Sequence, residues 1–369
     1  MSKTAFATSG KNNLMNSNKI ILLEPPHISD AHIKEKVICI RSHRERIFRT
    51  DAQLHNNKLI LHNYGHGGAG WTFLFGCVHK SIRQFEYQLS QYPSLKNKPI
   101  CVIGAGCYGL LTANILARKG YAVRIVAEET EDITSYKAAG FFFARPRKRA
   151  TDAERLVFEA VGMESYMAYR AIATGTHDFI QKGALLLPAY FGRDMDPGFA
   201  PYIQRGLVES PQEVVISFNG HTHHPVHQYT SIFIDSITTM QELKRAATEY
   251  AIPLTKAKIK SFDEIDELIV FNCAGPGAPL LASDRAIVPV QGHLIVLKNQ
   301  PLGTSLDYMI NVKVDGVNER GIPRNDLIYY APKQDGILGI TFIRGQSSTT
   351  TNHHEFDRLL QRCRQFFGR

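Results

Sequence analysis

Gly104-x-Gly106-x-x-Gly109 carries the clearest chemistry in this sequence. The first glycine permits a tight turn, the second lets a pyrophosphate approach the backbone, and the third lets the following helix pack closely on a sheet. The helix N-terminus then points free N–H groups at phosphate oxygens. The motif follows the apolar run Ile100 to Ile103 and opens a segment with Leu110, Leu111, Ala113 and Leu116 at helical spacing. Gly120 ends that segment, and the apolar run Ala122 to Ala127 finishes at Glu128. Strand, helix and strand within about thirty residues, closed by an acid, is the pattern of a dinucleotide site. Glu128 is set to accept hydrogen bonds from an adenosine ribose and would repel a 2′-phosphate, which disfavours NADP and leaves FAD and NAD equally open.

A second glycine cluster, His62-Asn63-Tyr64-Gly65-His66-Gly67-Gly68-Ala69-Gly70-Trp71-Thr72, also joins a strand to a helix. It can set another helix N-terminus against an anion or a flavin carbonyl, and two such loops suggest a large dinucleotide. The histidines at 221, 223, 224 and 227 could ligate a metal, but they lack neighbouring Cys or carboxylate at ligand spacing and read as a loop, so no metal is expected. His62 and His66 are spaced like a helical zinc pair, yet the glycines make that segment a turn. Tyr229, Tyr329 and Tyr330 could each offer a hydroxyl to a substrate, against the commoner role of a packed or rim aromatic.

The elements that must position these residues follow from periodicity. Lys58 to Asn63 reads as a strand, and Leu74, Val78, Ile82, Phe85 and Leu89 mark one face of a helix. Further helices are expected around 153–173, 239–250 (after a Ser/Thr cap) and 355–367, with strands near 184–187, 213–218, 254–259, 268–272, 293–297, 327–330 and 337–342. No internal repeat is present. A chain of 369 residues with 44% hydrophobic and 21% charged residues supports two packed domains. Residues 1–20, rich in Ser, Asn, Lys and Thr, are expected to form a mobile tail. The lack of an apolar run near the roughly 20 residues of a membrane span, and of a signal segment, points to a soluble, cytoplasmic protein without membrane contact. Six scattered cysteines without CxxC spacing fit reduced thiols. The +9 formal charge is compatible with an anionic dinucleotide and a carboxylate ligand, and the basic residues are not interleaved with aromatics as nucleic-acid stacking would need. The densest basic run, Arg145, Arg147, Lys148 and Arg149, reads as a solvated loop.

The long run HNYGHGGxGxT, followed by a GC-containing helix, resembles the C-terminal signature of the D-amino-acid oxidase family. VIGAGCYGL, Thr134-Ser135-Tyr136-Lys137-Ala138-Ala139-Gly140, Phe271-Asn272-Cys273-Ala274-Gly275 and Leu338-Gly339-Ile340-Thr341-Phe342-Ile343-Arg344-Gly345 are similar, in order, to further segments of that family. Leu23-Glu24-Pro25 through Cys39-Ile40-Arg41-Ser42-His43-Arg44 looks like a stretch that in the family follows the helix ending this chain. The resemblance therefore covers nearly the whole chain as a circular permutation, with the cut at an exposed connection.

The resemblance implies an α/β fold, with a Rossmann-like FAD-binding domain (59–150 plus 255–285) and a mixed-sheet α+β substrate domain (21–58, 151–254 and 286–369). FAD would be held by Gly104, Gly106, Gly109, Glu128, Thr134, Ser135, Gly67, Gly68, Gly70, Trp71, Thr72 and Gly275. It further implies oxidation of a carbon–nitrogen bond of an amino acid or related amine, by hydride transfer to flavin N5 with dioxygen as acceptor. Arg41 would bind the substrate carboxylate, Gly68 would offer its backbone to the amine, and Tyr229 would supply a hydroxyl. Arg41 could instead lie on a solvated strand face with Arg44, Arg46 and Arg49. Two departures stand out: the family's lid carries tyrosines where His221 to Tyr229 stands here, and its PxRGQ turn is replaced by Pro289-Val290-Gln291-Gly292-His293. A flavin dehydrogenase acting on a larger or N-substituted amino acid, and a non-catalytic FAD-binding protein, remain as alternatives.

Overall fold

The computed structural model describes residues 19–317, 323–350 and 352–368. Along the chain come β1 (Lys19–Leu23), β2 (Ile33–Arg44), β3 (Ala52–His55), β4 (Lys58–His62), α1 (Leu74–Gln91), β5 (Ile100–Ile103), α2 (Cys107–Arg118), β6 (Val123–Ala127) and α3 (Thr134–Lys137). Next are α4 (Asp152–Ala173), β7 (Ala184–Gly192), α5 (Ala200–Gln204), β8 (Gln212–Phe218), β9 (Thr222–Ile234), α6 (Ser236–Glu249), β10 (Leu254–Lys256), β11 (Ile269–Asn272) and α7 (Ala278–Leu281). The chain closes with β12 (Ile287–Leu297), β13 (Met309–Val317), β14 (Pro323–Ala331), β15 (Ile337–Gly339), β16 (Ile343–Arg344) and α8 (His353–Phe367).

Two sheets organise these elements. The smaller has the order β10-β6-β5-β11-β4-β3, parallel except for the edge strand β3. Its central strands are buried at every position, one face under α1 and α2 and the other under the segment carrying Phe262 and Ile265. α1 buries the stripe Leu74, Val78, Ile82, Phe85 and Leu89 against this sheet's core. α4 crosses α1 closely and is opened by a capping box, in which Thr151 and Glu154 satisfy each other's backbone N–H.

The larger sheet has ten strands in the order β1-β8-β9-β7-β13-β14-β15-β12-β16, with β2 pairing antiparallel along the whole of β12. Alternation gives it two faces. One carries Val37, Leu294, Met309, Tyr329 and Ala331 into the core shared with the smaller sheet. The other carries Ile295, Ile310, Ile328, Tyr330 and Leu338 under α8, which contributes Phe356, Leu359, Leu360, Cys363, Phe366 and Phe367. A buried ionic group holds α8 to β14, with Arg358 donating to Asp326 and to Glu355. At its far end Arg364 donates to the carbonyl of Ile28 at 3.0 Å and to Asp30 at 2.7 Å, so the last helix abuts the segment that leads into β2.

The mixed α/β, two-sheet class is as the sequence implied, and several details differ. Residues 1–18 of the expected tail lie outside the described residues, but Lys19 and Ile20 belong to β1, because the apolar run KIILL adds in parallel to β8. β3 extends the dinucleotide sheet to residues before 59. α6 is capped by Asp235, whose carboxylate accepts from the N–H groups of Ile237 and Thr238. The histidine segment read as a loop is mostly β9, paired with β8 and β7. All six cysteines are free and buried, and no helix among the described residues is long and apolar enough to cross a membrane.

The two long helices approach each other closely at Gly76 in α1, where an added Cβ would lie 2.0 Å from the Val161 carbonyl of α4, and where the Gly76 N–H donates to Ser165 Oγ at 2.9 Å. Gly76→Ala is expected to destabilise the fold by about 3 kcal/mol in urea denaturation, from overpacking. Gly120→Ala, with nothing within 4 Å and only a positive φ to strain, should cost about 1 kcal/mol. Equal losses would show that the α1–α4 crossing is not tight.

Candidate functional site

Four strands of the smaller sheet end level with one another. Beyond β4, β11, β5 and β6 the ladder continues by one more step, with Asn63 N–H to Asn272 at 3.0 Å, Cys273 N–H to Ile103 at 2.9 Å and Gly104 N–H to Val126 at 2.8 Å. The second glycine cluster, the turn at Gly275, the GxGxxG loop and Glu128 therefore leave one carboxyl edge side by side. In open parallel sheets that edge is where ligands bind.

The glycines at this edge have distinct reasons to be glycine. Gly104 sits at φ +108°, and a Cβ there would lie 2.4 Å from the Cys273 carbonyl. At Gly109 a Cβ would lie 1.9 Å from the Gly104 carbonyl, so α2 packs directly on the loop. Gly106 is the N-cap of α2, and the first intrahelical bond near it runs from Leu110 to Gly106, which leaves the preceding amides at the helix mouth. One of them, Cys107 N–H, donates to Ser135 Oγ at 3.1 Å. Gly275 has φ +54°, Gly67 has φ +63°, and Thr134 opens α3.

Three hydrogen bonds tie the loops together. Tyr108, in the first turn of α2, donates its hydroxyl to the Gly70 carbonyl at 2.8 Å while its ring stacks on His66 with centroids 3.9 Å apart. Trp71 donates its indole N–H to the Ser135 carbonyl at 3.1 Å, and Thr72 Oγ1 accepts from Phe143 N–H at 3.2 Å. Glu128 stays half-exposed at the end of β6 and pairs with Lys258 at 2.7 Å.

Arg147 departs from the solvated-loop expectation. It is half-buried, donates to the carbonyls of Arg44 and Gly65, and braces the entry to the second loop. Burial, with Arg44 nearby, brings its pKa down to about 10. Burial also pushes His62 and His43 down to about 4 and His66 well below the usual histidine range, so all three rings are neutral at pH 7. Neutral His62 is held between Gln53 Oε1 at 3.2 Å and Asn272 Nδ2 at 3.4 Å.

Arg41 lies on the β2 face that looks toward the smaller sheet. Its side chain passes over Gly292 of β12, where a Cβ would come within 2.1 Å of the guanidinium. The guanidinium is buried, donates to the Thr341 carbonyl at 3.1 Å, and lies under the Phe342 ring at 4.8 Å. A Cβ on Gly68 would be 3.5 Å from both Arg41 Cδ and Phe342 Cε1, so this arginine and this glycine face each other. No carboxylate ion-pairs with Arg41 among the described residues. Burial lowers its pKa, and Cys39 and Tyr329 oppose that shift. Arg44 takes the solvated-strand role only in part, pairing with Asp284 at 3.1 Å.

Tyr229 is not brought to Arg41. Five strands stand between β9 and β2 in the sheet, and the Tyr229 ring packs on Phe191 and Phe199 with centroids 5.6 and 5.3 Å away. Of the histidines before it, His224 stacks on Phe366 at 4.0 Å and bonds the Phe366 carbonyl at 2.9 Å, anchoring the end of α8. Tyr329, one of the three tyrosines the sequence offered for a hydroxyl, is the one set beside Arg41. Its signal was the fixed register of β14 against β15, which sets Tyr329 opposite Gly339, and no local pattern revealed that pairing. In the altered turn, Gln291 donates to the Ser348 carbonyl, and His293 holds Thr341 through its own N–H at 3.1 Å and its ring at 2.7 Å.

The family model described as FAD dependent oxidoreductase matches residues 99–369, and the chain belongs to that family. The match opens at β5, so the second glycine cluster and β2 lie ahead of it. Among curated proteins, the D-amino-acid oxidase of Streptomyces coelicolor is 26% identical over 201 residues, 54% of this chain and 59% of that protein. The chain thus spans little more than half of that relative's length. The D-amino-acid oxidase of Rubrobacter xylanophilus is 23% identical over 266 residues, 71% of this chain and 75% of that protein. Solved structures similar to this chain include glycine oxidase from Bacillus cereus, with TM-score 0.48, 14% identity and 72% and 77% of the two chains covered. Another is iminodiacetate oxidase from Chelativorans, with TM-score 0.49, 15% identity and 73% and 79% covered.

The geometry of the loops fits the family's cofactor: each GxGxxG glycine stands where a side chain would overlap backbone or cover the amide mouth of α2. A pH test follows from His62. Its folded pKa lies below the unfolded value, so the unfolded chain binds the extra proton and stability falls as pH drops from about 6.5 through about 4. Between pH 7 and pH 4, the native protein should lose up to about 3 kcal/mol more than His62→Gln in chemical denaturation. Parallel losses would mean that His62 is not held neutral.

Proposed function

We propose that this chain oxidises the carbon–nitrogen bond of an amino acid or related amine, with FAD bound across the shared carboxyl edge. Gly104, Gly106 and Gly109, with Ser135 and Thr134, would face the pyrophosphate. Glu128 would take the ribose on releasing Lys258, and the second loop with Gly67, Gly68, Gly70, Trp71 and Thr72 would face the flavin, with Gly275 beside it. FAD, when bound, would supply the acceptor for the hydride, and with it the two electrons, that leaves the α-carbon.

The residues of the chain do the rest by position. The observation that carries the reading is Arg41: a buried guanidinium that donates to the main-chain carbonyl of Thr341 and faces the backbone of Gly68. A planar fork in that state suits a carboxylate, which it can hold bidentately. With the carboxylate fixed, the Gly68 carbonyl can accept from the neutral amine and fix the α-carbon, which is the orientational part of catalysis. Tyr329 serves as a neutral donor only, because burial pushes its phenol well above the ordinary range. The scheme asks for no protein base. Loss of hydride from the neutral amine gives an iminium ion, water converts it to a keto acid and ammonium, and dioxygen as the final acceptor takes the hydride's two electrons, with two protons, to yield hydrogen peroxide. The permuted order of segments belongs to the same proposal, supported by the contact of Arg364 with Ile28 and Asp30, which brings the last helix beside the segment entering β2.

Anaerobic addition of D-amino acids, glycine and N-methyl amino acids, singly, should bleach the flavin absorbance of the purified protein with at least one of them. Arg41→Leu should keep the flavin spectrum and lower kcat/KM for that substrate about a hundredfold, as expected for loss of a charge-assisted bond. A flavin that no amine bleaches, or an unchanged kcat/KM, would contradict the reading.

A further inference from the structure

Phe342 is a large aromatic side chain that is 56% exposed, directly above the most buried cation of the candidate site. The Arg41 guanidinium is closed on three sides. Gly292 lies beneath it, the Thr341 carbonyl takes one of its N–H groups, and the Phe342 ring covers its outer face. The same ring is in contact range of any atom placed on Gly68, so it fills the space between the two backbone and side-chain groups that a substrate would have to touch. Thr341, the residue before it, is pinned through His293. Phe342 is therefore the member of this enclosure that can turn outward, and its anchor cannot.

We propose that Phe342 is the specificity-determining residue of the site: its ring must swing off Arg41 to admit a carboxylate, and its bulk sets the size of the amino acid that fits beside Gly68. This rests on the reading that Arg41 binds the substrate carboxylate. A carboxylate entering here would replace the Thr341 carbonyl and displace the ring stacked on the cation. Small substituents on the α-carbon leave the ring room to return over the bound acid, and large ones do not.

The test uses the FAD-loaded protein with Phe342, Phe342→Leu and Phe342→Ala. Phenylglyoxal modification of Arg41, read by peptide mass spectrometry, reports the cover independently of turnover. The expected result is modification that quickens from Phe to Leu to Ala, and a ratio of kcat/KM for large over small amino acids that rises about tenfold in Phe342→Ala, the size of effect that a pocket gives for a few carbon atoms. If Phe342→Ala does not fold, the Leu variant carries the same comparison. Unchanged modification would overturn the cover, and faster modification without a shift in size preference would overturn the specificity role. An Arg41→Leu protein with undiminished kcat/KM would instead remove the underlying reading, while the modification rates would still report the cover.

Discussion

Everything at this site depends on β11 lying parallel between β4 and β5. With Asn272 level with His62 on one side and with Ile103 on the other, one strand from late in the chain fixes two glycine loops at a common edge. Their neighbourhood is a consequence of register, and it is reinforced by side chains that cross the gap: Tyr108 to Gly70, and Trp71 to Ser135. Cys273 supplies the backbone against which Gly104 turns, so the first loop also takes its shape from β11.

The larger sheet turns this edge into a place for chemistry. It gives one face to α8 and the other to the core shared with the dinucleotide sheet, and β2 belongs to the second of these through Val37 and Arg41. Gly292 leaves the space through which the arginine reaches Gly68. Burying a cation without a carboxylate is costly, and the protein tolerates it here with a carbonyl and an aromatic face. Such a group is better suited to receive an anion than to stabilise the fold.

Much of this was legible in the sequence because it is local. Ile100 to Glu128 declares strand, loop, helix and strand through composition alone, and the helix face Leu74 to Leu89 is clear from spacing. The family resemblance then supplied Arg41 and Gly68, which no periodicity could relate across the intervening loop. What stayed hidden is set by distant pairing. β9 carries polar histidines because one of them caps the far end of α8, so its residues read as a loop and drew attention to Tyr229. Tyr329 and Gly292 gain their meaning only from the strands beside them. Arg147 looked solvated in a run of charges, yet its acceptors are two carbonyls from segments about eighty and a hundred residues away.

The most direct measurement of the central claim, that both glycine loops grip one FAD, is a titration of flavin-free protein with FAD followed by flavin fluorescence. Gly106→Val would cover the mouth of α2, and at Gly70 a Cβ would meet its nearest atoms, in His66 and Tyr108, at 3.8 Å. The account predicts one FAD bound per chain, with affinity lost in both variants and thermal stability of the flavin-free Gly70→Val protein kept. Binding that ignores the Gly70 substitution would contradict it, since the second loop would then lie outside the cofactor site.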